Sequence, residues 1–111
     1  MNLIHGDCLK VLPALPNASC DLIVTSPPYN LGIDYNLFKD TSPREEFITW
    51  CQAWAGELKR VMADDASFFL NVGAAPSNPL LPHQLIIALT DGIKPLFTLQ
   101  NTFHWVKSIT I

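Results

Sequence analysis

The chain contains one short stretch, SPPYN at residues 26–30, whose side chains could do chemistry on a flat ligand. Proline fixes φ and lacks an N–H, so two successive prolines hold the backbone stiff and extended. The hydroxyl of Ser26 and the carbonyl of Pro27 then present hydrogen-bond acceptors in a fixed direction, and Tyr29 follows as a flat aromatic surface. This arrangement suits a planar ring with an exocyclic amine, because the acceptors take the amine hydrogens while the tyrosine stacks on the ring. A proline-stiffened turn with a core tyrosine is the alternative interpretation.

The element that must position this stretch is the apolar run CDLIVTS at residues 20–26. The run has the length of a strand, is rich in β-branched residues and lies between turn formers, which predicts a strand covered on both faces. In open α/β sheets, ligands lie beyond the carboxyl ends of the strands. The SPPYN stretch is therefore predicted at the ligand-binding edge of a sheet.

Strands and helices alternate along the rest of the chain. Before the central run, residues 2–7 (NLIHGD) predict a short strand, and residues 8–15 (CLKVLPAL) predict a short helix that a proline interrupts. Later, residues 67–73 (SFFLNVG) predict a second buried strand. Residues 78–92 (NPLLPHQLIIALTDG) predict a helix, and residues 95–108 (PLFTLQNTFHWVKS) a long strand.

The strongest helix signal begins at Ser42, which is predicted as the N-cap, with Pro43 at the first helical position and Glu45 closing a capping box. An apolar stripe with helical spacing follows and is predicted to pack on a core: Phe47, Trp50, Cys51, Trp54, Leu58, Val61 and Met62. The alternation of strands and helices predicts a layered α/β fold with a mostly parallel sheet.

Composition fits one globular domain, because 111 residues with 49% hydrophobic and 15% charged residues can bury a core. The amino end has no long apolar segment, which indicates a cytoplasmic protein without a membrane anchor. The three cysteines and three histidines are scattered, so neither a disulfide framework nor a metal site is predicted. The net charge of −3 argues against tight binding of a phosphate backbone by this chain alone.

Residues 3–35, LIHGDCLKVLPALPNASCDLIVTSPPYNLGIDY, resemble the amino-terminal part of the DNA methyltransferases that modify exocyclic amino groups. The catalytic motif of that family reads [DNS]-P-P-[YFW], and here it follows G-D-x-L-x-x-L and D-L-I-V-T and precedes a W-x-K at residues 105–107. In the beta-group order of these enzymes, the catalytic half comes first. The target-recognition segment and the cofactor motif F-x-G-x-G follow. The resemblance implies a partial Rossmann-like methyltransferase fold that uses S-adenosylmethionine.

The resemblance also implies roles for the motif in methylating double-stranded DNA. Ser26 and the carbonyl of Pro27 would accept hydrogen bonds from the target amine, which favours the pyramidal nitrogen of the transition state. Pro28 would fix the shape of the loop, and Tyr29 would stack on a base flipped from the duplex. Serine at the first motif position favours cytosine N4 over adenine N6 as the target atom.

Residues outside the motif receive roles by the same resemblance. Asp7 and Cys8 match a position near the adenosine of the cofactor. The alternative for Asp7 is that capping a helix is its only role. Asn30 is placed with the substrate-binding residues, as are Trp105 and Lys107 of the predicted late strand. A core tryptophan and a solvated lysine are the alternative for the last pair.

The chain also departs from the family pattern. Its five glycines form no G-x-G, so the glycine-rich cofactor turn is absent, and the sequence stops shortly after the W-x-K. We therefore expect residues 1–111 to be the catalytic part of a methylase domain, prone to self-association or dependent on a carboxyl-terminal half. A non-catalytic remnant or small binding module, and a different α/β enzyme in which the tetrad is structural, are the rival interpretations.

Overall fold

A computed structural model describes residues 1–35 and 38–106 of the chain. Its elements, in chain order, are α1 (Cys8–Val11), a short 3-10 turn (Leu12–Ala14), β1 (Cys20–Thr25), β2 (Asp34–Tyr35), β3 (Phe38–Lys39), α2 (Arg44–Val61), β4 (Met62–Leu70) and α3 (Leu81–Thr90). None of the helices in these ranges is long and apolar enough to cross a lipid bilayer.

Strands β1 and β4 form a parallel pair, which confirms the predicted α/β arrangement. Their register places Ile23 opposite Phe68 and Thr25 opposite Leu70, with an irregularity between Cys20 and Leu22. The long helix α2 connects the two strands, since a parallel pair needs a crossover rather than a hairpin. Strands β2 and β3 form a separate two-stranded antiparallel ribbon between β1 and α2.

Helices α2 and α3 bury their apolar stripes against one face of the parallel pair. The core cluster consists of Phe47, Cys51, Trp54, Ala55, Leu58, Leu81, Leu85 and Leu89. From the sheet, Ile23, Phe68 and Leu70 pack against this cluster. Full burial of a large apolar side chain contributes about 1.5–3 kcal/mol. The predicted packing role of the α2 stripe is therefore confirmed. The packing of this stripe against the sheet holds the carboxyl ends of the two strands in place.

The opposite face of the sheet is open, so the prediction that β1 is covered on both faces is wrong. Leu22 is 59% exposed and Val24 is 70% exposed, and Phe69 of β4 lies exposed beside them. Within the described ranges, the helices pack on one side of the strands only, which leaves this apolar face in contact with solvent.

Two predicted strands are wrong. Residues 2–7 form no strand, and the described part of residues 95–108 forms none either. Apolar composition alone does not make a strand, because each strand needs a neighbour that pairs its backbone N–H and C=O groups. Both segments instead expose apolar side chains, as Leu3 and Phe103 show.

Two element boundaries also differ from prediction. Helix α2 has Pro43 as its N-cap, in extended geometry and without a side-chain cap, so the capping box predicted from Ser42 is wrong. Ser42 belongs to the preceding loop, where its carbonyl accepts a hydrogen bond from Asn30 Nδ2 at 3.0 Å. Strand β4 begins at Met62, earlier than predicted, because exposed positions of a strand accept Asp64 and Asp65.

Candidate active site

Ser26 lies at the carboxyl end of β1, directly beside the carboxyl end of β4. The parallel register places Thr25 opposite Leu70, and the backbone N–H of Asn71 donates to the Thr25 carbonyl at 2.9 Å. The residues that follow the two strands therefore meet at one edge of the sheet. This is where the SPPYN stretch was predicted to lie.

Three polar side chains form a closed hydrogen-bond triangle at this edge. The hydroxyls of Ser26 and Tyr29 share a hydrogen bond in which either can be the donor. Asn71 Nδ2 donates to Tyr29 Oη at 2.8 Å and to Ser26 Oγ at 3.3 Å. The tyrosine hydroxyl is thus part of the site, in addition to the aromatic surface expected from the sequence.

The ring of Tyr29 lies close to the backbone of Gly73. A Cβ atom added at Gly73 would lie 2.9 Å from both Cδ2 and Cε2 of Tyr29. Real Cβ atoms essentially never come so close to another heavy atom, so a side chain at this position would displace the ring. The glycine therefore allows the edge of the tyrosine ring to rest on the segment that leaves β4.

The loop after the motif is held by the buried carboxylate of Asp40, which is 1% exposed. Its oxygens accept from the backbone N–H groups of Asn30 at 2.7 Å, Leu31 at 2.8 Å and Ile33 at 3.4 Å. Its carbonyl accepts from the N–H of Gly32 at 3.0 Å, so four consecutive N–H groups point at one residue. These hydrogen bonds form a cradle that fixes the end of the SPPYN stretch.

Asn30 takes part in the same cradle through its backbone shape. Its φ of 56° lies in the left-handed region, which asparagine tolerates better than most residues. Its side-chain Nδ2 donates to the Ser42 carbonyl. The structure thus gives Asn30 a part in shaping the loop, and its contact with substrate stays a prediction.

Asp7 caps helix α1, as the N-cap alternative predicted. Its side chain accepts from the Leu9 N–H at 3.0 Å. Next to it, partial burial and the negative charge of Asp7 raise the pKa of the Cys8 thiol above its ordinary value. A raised pKa keeps this thiol protonated near neutral pH, so the exposed Cys8 suits a contact role better than a nucleophilic one.

A cavity of about 250 Å³ joins Cys8 to the motif. Eight residues line it: Cys8, Leu12, Thr25, Pro27, Pro28, Trp50, Trp54 and Leu58. The lining is mostly apolar and aromatic, as is usual in small-molecule sites, and the volume falls slightly below their usual range of about 300–1,000 Å³. The cavity therefore offers flat apolar walls.

The late W-x-K is only partly described. Trp105 is 83% exposed, and the strand that was predicted to carry it to the site does not form in residues 95–106. Lys107 lies outside the described residues. The predicted substrate contacts of both residues stay predictions.

Sequence reasoning missed three residues that shape the site: Asp40, Asn71 and Gly73. The sequence SFFLNVG, a strand followed by Asn-x-Gly, could have indicated the last two, because the carboxyl ends of parallel strands meet at one edge of a sheet. No comparable signal marked Asp40, because the backbone N–H groups that it binds come together only when the loop has folded.

Comparison with known proteins places the chain among DNA methylases. Residues 20–111 match the sequence profile of the DNA methylase family. The Type II methyltransferase M.MjaVI of Methanocaldococcus jannaschii is 39% identical over 109 residues, which cover 95% of this chain and 53% of that protein. The DNA adenine methyltransferase YhdJ of Escherichia coli is 28% identical over 103 residues, covering 93% of this chain and 32% of that protein.

A solved structure agrees with these sequence matches. The cytosine-N4-specific PvuII DNA methyltransferase superposes with a TM-score of 0.61 at 25% identity, over 76% of this chain and 31% of that chain. The chain thus spans about half the length of M.MjaVI and less of the other relatives. With the parallel β1–β4 pair and its connecting helix, the match identifies a partial Rossmann-like α/β methyltransferase fold. The chain belongs to the DNA methylase family.

Proposed function

We propose that this chain is the catalytic part of a DNA methyltransferase that transfers a methyl group from S-adenosylmethionine to the N4 amine of cytosine. The observation that carries the proposal is the SPPY loop at the carboxyl edge of a parallel strand pair, with Pro27 and Pro28 lining an apolar cavity. Family membership supports the reaction class. The cytosine-N4-specific structural relative and the serine at the first motif position both favour cytosine.

Methylation of adenine N6 is the second candidate function. It is favoured by the 28% identity with a DNA adenine methyltransferase over 93% of this chain. Both reactions modify an exocyclic amine on a planar ring, so the same loop chemistry serves either base. The two candidates differ in the base accepted and share the proposed roles of the motif.

The motif would act on the amine through two acceptors. An exocyclic amine is a weak nucleophile, because its lone pair is delocalised into the ring. Hydrogen bonds from the amine to Ser26 Oγ and to the Pro27 carbonyl would favour a pyramidal nitrogen, and thus stabilise the transition state more than the ground state. Tyr29 would stack on the flipped base and fix the direction in which its amine points.

The residues around the cavity fit the adenosine part of the methyl donor. Its walls include Trp50 and Trp54, which suit a flat heterocycle. Cys8 also lines the cavity and Asp7 precedes it in the chain, and both are proposed as cofactor contacts. When bound, the cofactor supplies an electrophilic methyl group on sulfur. Because the two prolines of the motif line the cavity, a cofactor bound there would have its methyl group near the acceptors of the motif.

We propose that further polypeptide completes the site. The sequence has no G-x-G turn to close over the rest of the cofactor, and its net charge of −3 gives DNA no electrostatic anchor. The exposed apolar face formed by Leu22, Val24 and Phe69 is a surface that additional structure could cover. Transfer needs both substrates held in line on one frame, so the chain alone is expected to be inactive.

A chimera tests this proposal. This chain replaces the matching half of M.MjaVI, and the product is incubated with double-stranded DNA and radiolabelled S-adenosylmethionine, next to M.MjaVI itself. We expect label in DNA with the chimera, little label with the Ser26→Ala, Tyr29→Ala double variant, and none with the 111-residue chain alone.

Three results separate the interpretations. Label from the chain alone would overturn its dependence on further polypeptide. No label from the chimera, under conditions where M.MjaVI labels DNA, would favour a non-catalytic remnant. Full label from the double variant would mean that the tetrad is structural.

A further inference from the structure

Asn71 is the first residue after β4, and its side chain is exposed. Its backbone N–H donates to the Thr25 carbonyl and continues the hydrogen bonding between the two strands. The side-chain Nδ2 group donates to both hydroxyls of the motif, those of Ser26 and Tyr29. A single amide group thus ties the residue proposed to bind the amine to the residue proposed to stack on the base.

Gly73 supports the same tyrosine two residues further on. The close approach of its backbone to Cδ2 and Cε2 of Tyr29 leaves no room for a side chain. Asn71 therefore holds the hydroxyl end of the tyrosine, while Gly73 determines how far its ring settles against the sheet edge. We call residues 71–73 the tyrosine seat.

We infer that the tyrosine seat is a positioning element for methyl transfer, with Asn71 as the positioning residue. This inference rests on the proposed function. A serine hydroxyl rotates freely, and Ser26 is exposed, so without a fixed partner its acceptor lone pairs sample many directions. In the triangle, Ser26 Oγ accepts from Asn71. When its proton is donated to Tyr29, one lone pair remains for the target amine.

The seat explains why tyrosine stands at the fourth motif position in this chain. A phenylalanine would keep the stacking surface, but it would remove the acceptor of the Ser26 proton and one acceptor of the Asn71 amide. Tyr29→Phe is therefore expected to lower turnover through Ser26 as well as through the base. Loss of one or two hydrogen bonds of ordinary strength corresponds to about 3–30-fold in rate.

The experiment compares variants of the chimera described above. Asn71→Asp keeps the shape of the side chain and removes both N–H donors, and we expect kcat to fall about 10-fold while KM for S-adenosylmethionine stays unchanged. The matched control is Asn101→Asp, the same change at another exposed position. Gly73→Ala should lower kcat as well, whereas Gly56→Ala, where an added Cβ meets nothing within 4 Å, should not.

A double-mutant cycle separates positioning from a general loss of stability. If Asn71 acts through the hydroxyl of Tyr29, the Asn71→Asp change should have a much smaller effect on kcat in the Tyr29→Phe background. Equal fold-losses in both backgrounds, or an unchanged kcat for Asn71→Asp, would overturn the inference. A fall in kcat that merely follows a fall in melting temperature would overturn it as well.

The NMR signals of the tyrosines test the tyrosine seat without relying on methyl-transfer activity, and so separately from the proposed function. The chain has only two tyrosines, so tyrosine labelled with carbon-13 at Cζ gives two signals in a chimera whose other half is unlabelled, and Tyr29→Phe assigns them. We expect the Tyr29 signal to move in Asn71→Asp and to stay in place in Asn101→Asp. An unmoved signal would refute the seat, whatever the activity. An inactive wild-type chimera would instead count against the proposed function.

Discussion

Replacement of Asp40 by asparagine should loosen the loop that follows the SPPY motif. The carboxylate is 1% exposed and accepts two short hydrogen bonds, from the N–H groups of Asn30 and Leu31. Asparagine has nearly the same shape but offers only one oxygen. Its NH2 group would face a backbone N–H, which leaves at least one buried donor without an acceptor.

The size of the effect follows from these two bonds. Hydrogen bonds to a charged group contribute about 1.5–3 kcal/mol each, neutral ones about 0.5–1.5, and a buried donor without a partner costs about 1–3. One weakened bond and one orphaned donor together predict a loss of about 2–4 kcal/mol in the free energy of unfolding. This is a large part of the about 5–15 kcal/mol that stabilises a typical domain.

Urea unfolding of Asp40→Asn measures this loss. With a slope of about 2 kcal/mol per molar urea, the midpoint should fall by about 1–2 M. The control is Asp65→Asn, which makes the same chemical change at an exposed position of β4 and should shift stability by less than about 0.5 kcal/mol. A midpoint of Asp40→Asn equal to that of the control would refute the role of the carboxylate cradle.

Three further changes test the packing and the cavity. Burial raises the pKa of Cys51 from 9.0 to about 12, so the unfolded chain loses this proton first, and stability should fall between about pH 9 and 12 by up to ~1.4 kcal/mol per pH unit. In Cys51→Ala, the urea midpoint should depend less steeply on pH over this window, and an unchanged slope would contradict the assignment. Gly56→Ala has room for its methyl group within α2 and should raise the free energy of unfolding by about 0.5–1 kcal/mol, and a destabilised variant would contradict the open space. Trp54→Phe makes the aromatic wall of the cavity smaller, so calorimetry on the chimera should show about 2–12-fold weaker binding of S-adenosylmethionine, and unchanged affinity would remove Trp54 from the cofactor site.

Elements with strong local signals could be predicted from the sequence. The apolar stripe of α2 has six members at helical spacing, and the run before SPPY has the length and β-branched residues of a strand. Both patterns indicate that at least one face of the segment is buried, and this can be read from the residues of that segment alone. The placement of SPPY at the carboxyl edge of the sheet followed from the order of these elements.

Features that depend on distant partners could not be predicted in this way. Whether residues 2–7 become a strand depends on a neighbouring strand, and apolar composition says nothing about its presence. The hydrogen bonds from Asn71 to Ser26 join residues 45 positions apart, and the Asp40 carboxylate finds its N–H donors only when the loop has formed. The open face of β1 was missed for the same reason, because the same apolar sequence is compatible with a strand covered on one face and with a strand covered on both.

The most direct test of the central claim is the identity of the methylated base. DNA treated with the chimera is digested to nucleosides and analysed by mass spectrometry, with the Tyr29→Ala variant beside the wild type. We expect N4-methylcytosine from the wild type and a strong loss of it in the variant, since base stacking contributes about 1–3 kcal/mol. N6-methyladenine as the sole product would refute cytosine as the target. The absence of any methylated nucleoside, where M.MjaVI yields one, would contradict methyl transfer by the SPPY loop.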